Sequence, residues 1–180
     1  MVSHAFAYRC MGVFYETKPN TDGDPTARCL IYVTPDAERT MQTFLGACTA
    51  LGPDDIDERV IVSSKIIYLE GYLYDPPKAK AAFIKAAKLA RKADRQVSLS
   101  LSDQFCVDRH RDAFLDFIND YVDVLFANED EIKSLYQVDG LEEALDNVRG
   151  SCNIVAVTRG SSGSVIVSGE KTHVLVAEKV

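Results

Sequence analysis

Residues 122–135 read VDVLFANEDEIKSL, and the fold turns on how that stretch is divided. Val122–Ala127 is an apolar run of strand length. Asn128 punctuates it, and Ile132, Leu135 and Tyr136 follow at helical spacing, so strand gives way to helix at Asn128. In a sheet of parallel strands that switch lies at the carboxyl end, where open α/β sheets bind ligands. Asn128 and Glu131 thus put an amide and a carboxylate at a helix start that also offers free backbone N–H groups. The same pair has the spacing of a capping box, with Asn in place of Ser or Thr, and that role needs no ligand.

Working outward, strands and helices alternate from Ile56 onward. Ile56–Ser64 reads as a short helix, and Lys65–Leu69 as a strand ending at Glu70. Pro76–Ala93 is the clearest helix, with Ala79, Ala82, Phe83, Ala86, Ala87 and Ala90 on one face and solvated lysines opposite. Gln96–Leu101 is a strand running into Ser102-Asp103, and a helix capped by Asp108 continues to Tyr121. Leu141–Arg149 is a further helix, and Asn153–Val157 a strand ending at Thr158. Ser164–Val167 and Thr172–Val176 form a closing hairpin. On the N-terminal side, Gly12–Glu16 reads as a short strand and Lys18–Pro25 as loop. Arg28–Val33 and Arg39–Leu45 make an antiparallel hairpin about Thr34-Pro35-Asp36-Ala37, either a sheet edge or a lid over a site. Met1–Met11 has no clear period.

This alternation predicts an α/β fold: a mostly parallel sheet with helices on both faces, of Rossmann type, plus a small antiparallel hairpin. The 180 residues are expected to form one domain, with a lid-like segment at about 12–45 and an α/β core at about 56–180.

Composition narrows the function. With 47% hydrophobic and 26% charged residues the chain is an ordinary globular one. A net charge of −7 argues against a sequence-independent nucleic-acid binder, which needs a cationic surface. The five cysteines (Cys10, Cys29, Cys48, Cys106, Cys152) are scattered without a CxxC, as suits free thiols in a reducing compartment. No run reaches membrane-span length and Met1–Tyr8 lacks a signal-peptide core, so the protein is read as soluble and cytoplasmic.

Four predicted strands end in polar residues: Glu70, Asp103, Asn128 and Thr158. If those strands are parallel the four groups meet at one crevice, although strand ends are often polar simply because they meet water. Thr158–Ser164 reads TRGSSGS, a glycine- and hydroxyl-rich turn whose backbone can approach a phosphate or ribose, or equally a hairpin turn. Common phosphate-loop, dinucleotide, zinc-protease and serine-hydrolase motifs are absent. His4, His110 and His173 lie far apart with no Cys or Asp at a catalytic spacing.

The order of hairpin, IIYLEGYL, SLSDQF, LFANEDEI and VAVTRGSSGSVIV resembles the ribokinase-like (PfkB) family of carbohydrate and nucleoside kinases, nearest to its bacterial sugar and adenosine kinase branches. The resemblance implies phosphoryl transfer from ATP, with Mg2+, to a hydroxyl of a sugar or nucleoside. It carries Asn128 onto the family's Asn-x-x-Glu element with Glu131, which supports magnesium indirectly through water or phosphate. It carries Thr158, Arg159, Gly160, Ser161, Ser162 and Gly163, with Asn128, onto the ATP-contacting positions. Glu70 matches a strand-end glutamate near the sugar, and Gly46 and Cys48 lie where the lid returns to the substrate site. The lid suits pairing between subunits as a homodimer.

The family's base, an Asp in a Gly-Ala-Gly-Asp turn, has no counterpart in the sequence and is expected beyond Val180. The family's N-terminal glycine-rich sugar-binding segment has no counterpart either. The chain is therefore expected to represent part of such a kinase. The alternatives are a nucleotide-binding module without catalysis or an inactive fragment.

Overall fold

The computed structural model describes residue 8 and residues 10–178. It divides into two compact units, Met1–Thr49 and Ala50–Val180. In the first, β1 (Arg28–Val33) pairs antiparallel with β2 (Arg39–Phe44), Val33 opposite Arg39. Ala37 N–H donates to Thr34 O at 2.9 Å, closing the reversal, and Ala37 takes a positive φ of 66°. Every residue of both strands is exposed. The expected strand at Gly12–Glu16 is not one: Met11 and Val13 N–H groups both donate to Tyr8 O, making a turn through Gly12 that leaves the following residues extended but unpaired.

The second unit holds a six-stranded sheet in the order β3 (Ile66–Glu70), β4 (Gln96–Ser100), β5 (Val124–Asn128), β6 (Ile154–Thr158), β7 (Ser164–Ser168) and β8 (Lys171–Leu175). The first four run parallel, and β7 and β8 return antiparallel as a meander. The TRGSSGS segment therefore joins β6 to β7 as a hairpin loop.

The helices are α1 (Glu58–Ser63), α2 (Pro77–Lys92), α3 (Gln104–Tyr121), α4 (Glu129–Tyr136) and α5 (Leu141–Val148). Right-handed crossovers between parallel strands laid down in chain order put each connecting helix on the same face. The helices accordingly form one layer: α2 packs on β3 and β4, α3 on α2, α4 on β5, β6 and α3, and α5 on α4. Beneath them Ile67, Val97, Leu99, Leu125, Ala127, Val155, Val157, Val165 and Val167 are buried. The alternation implies helices on both faces, and the described residues supply those of one. On the other, Ile66, Tyr68, Phe126 and Ile154 are exposed, and the Tyr68 and Phe126 rings meet across β4 with centroids 6.3 Å apart.

The helix expected to be capped by Asp108 begins five residues earlier. Asp103, extended at φ −163°, caps α3 by accepting from Cys106 N–H at 3.0 Å. His110 interrupts the helix with φ −125° and ψ 20°, which breaks the apolar period and hides the first turn from a sequence reading. Asp108 instead accepts a hydrogen bond from the Ser134 hydroxyl.

Candidate functional site

Parallel pairing brings the polar strand ends to one rim. Glu70 is in register with Ser100, and Asn128 with Thr158, so β3 to β6 finish side by side. The turn after β4 adds Ser102 and Asp103.

Asn128 and Glu131 form the complete capping box. Glu131 N–H donates to Asn128 Oδ1 at 2.8 Å, Asn128 N–H to Glu131 Oε2 at 2.9 Å, and Asn128 Nδ2 to Glu131 Oε1 at 2.7 Å. Glu131 is only 5% exposed. Burial pushes its carboxyl above the ordinary glutamate range; the Asn128 N–H opposes this, while the charges of Asp103, Glu70 and Asp130 add to it. That coupling places Glu70, Asp103 and Glu131 in one electrostatic neighbourhood. Each Glu131 oxygen accepts one bond from Asn128, and the residue is almost wholly buried, so its carboxylate is fixed in the capping box rather than presented to solvent.

Tyr72, in the 3-10 turn Gly71–Tyr74 after β3, feels the same carboxylates and is 45% exposed. Burial first, then Asp103, Glu131 and Glu70, push its phenol up. Phe105, in the first turn of α3, is 72% exposed. The sequence reading assigned neither aromatic, and the only available signal was their place directly after strand ends.

The loop after β6 is tightly wound. Arg159 N–H donates to Gly163 O at 2.8 Å, Ser162 N–H to Arg159 O at 3.0 Å and Gly163 N–H to Gly160 O at 3.1 Å. Gly160 (φ +54°) faces open space, whereas a Cβ on Gly163 (φ +91°) would overlap the Leu175 carbonyl oxygen. Thr158, Gly160, Ser161 and Ser162 are exposed. Arg159 pairs with Glu129 at 3.5 Å, tying this loop to the first turn of α4 beside Asn128. Gly46 and Cys48 belong to the first unit, Gly46 buried with φ +54° and Cys48 exposed.

A second cluster lies between the helices. Asp75, Cys106 and His110 bring one donor atom each within 4.8 Å. Arg109 binds Asp75 with two bonds of 2.9 and 3.1 Å, and Lys80 Nζ donates to His110 Nδ1 at 3.1 Å. Because lysine only donates, the imidazole carries its proton on Nε2 and donates to Asp75 Oδ1 at 2.7 Å. Asp75 faces a guanidinium and the imidazole N–H, His110 Nδ1 faces the Lys80 ammonium, and the Cys106 thiol donates to the Gly71 carbonyl, so the cluster has the make-up of an ion-pair network. The partner of His110 is thus an aspartate distant in sequence, which spacing could not reveal, and His4 lies outside the described residues.

A mainly parallel sheet whose strand ends gather three carboxylates, an amide cap and a glycine-rich hydroxyl loop defines an open α/β protein, and in such sheets the carboxyl rim is the candidate ligand site. Residues 15–180 match the pfkB family of carbohydrate kinases, and the chain belongs to that family. It is 46% identical to a probable sugar kinase from Rhizobium etli CFN 42 and 42% identical to an adenosine kinase from Sinorhizobium meliloti, both with a TM-score of 0.91. Each similarity covers 97% of this chain and 54% of the other protein. A guanosine-inosine kinase of Escherichia coli K12 is 27% identical over 172 residues, covering 89% of this chain and 38% of that protein. The chain thus spans about half the length of its solved relatives and less of the curated one. No helix among the described residues is long and apolar enough to cross a membrane.

Proposed function

We propose that the chain carries part of a kinase site, with both nucleotide-side and acceptor-side residues, that moves the γ-phosphoryl group of ATP to a hydroxyl of a nucleoside or sugar. The observation that carries this is the shared rim of Glu70, Asp103, Asn128, Glu131 and Thr158 at the ends of parallel strands.

In this reading the glycine loop offers ATP the hydroxyls of Thr158, Ser161 and Ser162 and the open backbone at Gly160, with Arg159 and Gly163 shaping the turn, and Asn128 stands beside it. Glu70 accepts from hydroxyls of the acceptor, and Gly46 and Cys48 are substrate-side positions by the family resemblance alone. Magnesium, when bound, neutralises charge developing on the phosphoryl oxygens. Glu131 orients water or phosphate around it and is not the base, because its place in the capping box at the helix start, buried to 5% exposure, suits a supporting partner better than a group that meets the acceptor hydroxyl.

Two of the three relatives named above act on nucleosides, and the exposed Tyr72 and Phe105 near the rim offer aromatic faces on which a base could stack, which supports a nucleoside acceptor. The hairpin β1–β2, exposed on both faces through Leu30, Ile31, Tyr32, Val33, Met41 and Phe44, supports a homodimer formed through it, since a lone two-stranded hairpin is marginal. The five free cysteines support a reducing, cytoplasmic setting.

Isothermal calorimetry of the chain with ATP and magnesium chloride tests the reading. Saturable heat is expected, and it disappears on replacing Gly160 with valine, whose side chain fills the open space over the loop. The absence of heat at millimolar ATP refutes it.

A further inference from the structure

We propose that Tyr68 and Ser102 are positioning residues that clamp the Glu70 carboxylate in one orientation towards the acceptor hydroxyls. This rests on the reading of Glu70 given above. The Tyr68 hydroxyl donates to Glu70 Oε2 at 2.9 Å, and the Ser102 hydroxyl donates to Oε1. Each carboxylate oxygen therefore receives one O–H from a different strand end, which leaves its remaining lone pairs directed at the rim.

The two clamps are built differently. Tyr68 lies on the exposed face of β3, two residues before Glu70, so both side chains stand on the same side of the strand. Its phenol is pushed up, first by burial and then by Glu70 itself despite an opposing bond from Ser100, so it keeps the proton it donates.

Ser102 is held by strain. Its φ is +69°, and Asp103 N–H donates across it to Leu101 O at 2.9 Å, the i to i+2 bond of a γ-turn, which is rare and costly in this hand. The other non-glycine residues with positive φ among the described residues end a helix (Asp94, Gln137) or turn a hairpin (Ala37). Ser102 does neither. It stands between a strand and a helix that Asp103 already caps, where an ordinary connection would serve. Strain of this kind persists where the surroundings hold a side chain in place, and what Ser102 delivers is a hydroxyl to Glu70.

The test compares Tyr68→Phe, Ser102→Gly and Glu70→Gln by calorimetry with adenosine and, separately, with ATP. Ser102→Gly relieves the strain while deleting the hydroxyl, so a purely structural role predicts equal or higher stability with adenosine binding intact. Positioning predicts about tenfold weaker adenosine binding for each of Tyr68→Phe and Ser102→Gly, as expected for one hydrogen bond to a charged group, with ATP affinity unchanged. Weaker binding by Glu70→Gln alone overturns the clamp and spares the Glu70 reading. Unchanged binding by Glu70→Gln overturns that reading instead. Without any ligand, three-bond NMR couplings across χ1 of Glu70 are expected to report a single rotamer in the native chain and averaging in the Tyr68→Phe/Ser102→Gly pair. Averaged couplings in the native chain refute the clamp.

Discussion

Replacing Asn128 by alanine separates the capping box into its parts. The variant keeps the backbone N–H that donates to Glu131 Oε2, but it loses the side-chain oxygen that accepts from Glu131 N–H and the amide that donates to Oε1. Loss of an N-cap costs about 1 kcal/mol. Loss of a bond to an ionised, buried carboxylate costs about 1.5–3 kcal/mol more. The second cost applies only while Glu131 is charged. Its folded carboxyl is already raised, chiefly by burial, so the native chain binds this proton more tightly than the unfolded one and loses stability as pH rises from the unfolded value through the folded one. Removing the amide raises the folded value further and deepens that loss. Urea denaturation followed by circular dichroism should therefore give a destabilisation of about 1 kcal/mol at pH 4, where the carboxyl is largely protonated, and about 2.5–4 kcal/mol at pH 7.5, where it is ionised. An equal penalty at the two values would mean that Glu131 is neutral throughout or that the amide bond to it contributes nothing.

Two further expectations follow from buried geometry. Gly163→Ala forces a Cβ into the Leu175 carbonyl at a positive φ, and should destabilise the chain by about 2–5 kcal/mol in the same urea assay, with β8 losing amide-exchange protection first. Burial pushes the thiols of Cys106 and Cys152 up to about 11, whereas Cys29 and Cys48 are exposed. Iodoacetamide at pH 8 should label Cys29 and Cys48 in the native chain and reach Cys106 and Cys152 only in urea, as read by peptide mass spectrometry; early labelling of Cys106 would contradict the packing of α3 on the turn at Gly71.

The parts of this fold that a sequence reveals are those where one physical rule acts alone. Val124–Ala127 is apolar because both neighbours are parallel strands, and Asn128 marks the end because a helix must be capped there; the cap and the helix Glu129–Tyr136 stand where the pattern puts them, while the strand starts two residues later than the pattern suggests, because Val122 still closes the helix before it. Where two rules compete the pattern misleads. At α3 the apolar period and the kink at His110 disagree, and the period favours Asp108 over the true cap, Asp103. At Gly12–Glu16 extended backbone has the composition of a strand but no partner in the described residues, and composition carries no record of pairing.

The site divides along the same line. Glu70, Asn128 and Thr158 were legible because each ends a strand, and parallel register then brings them to one rim without further instruction. Tyr68 and Ser102 were not. Their contact with Glu70 joins residues 2 and 32 positions away in the chain, and the second depends on a backbone angle that serine has no intrinsic tendency to adopt. A residue that works against its own conformational preference leaves no periodic trace. Only the three-dimensional arrangement relates the strained turn after β4 to the carboxylate after β3, and that relation makes Ser102 more than a polar residue in a loop.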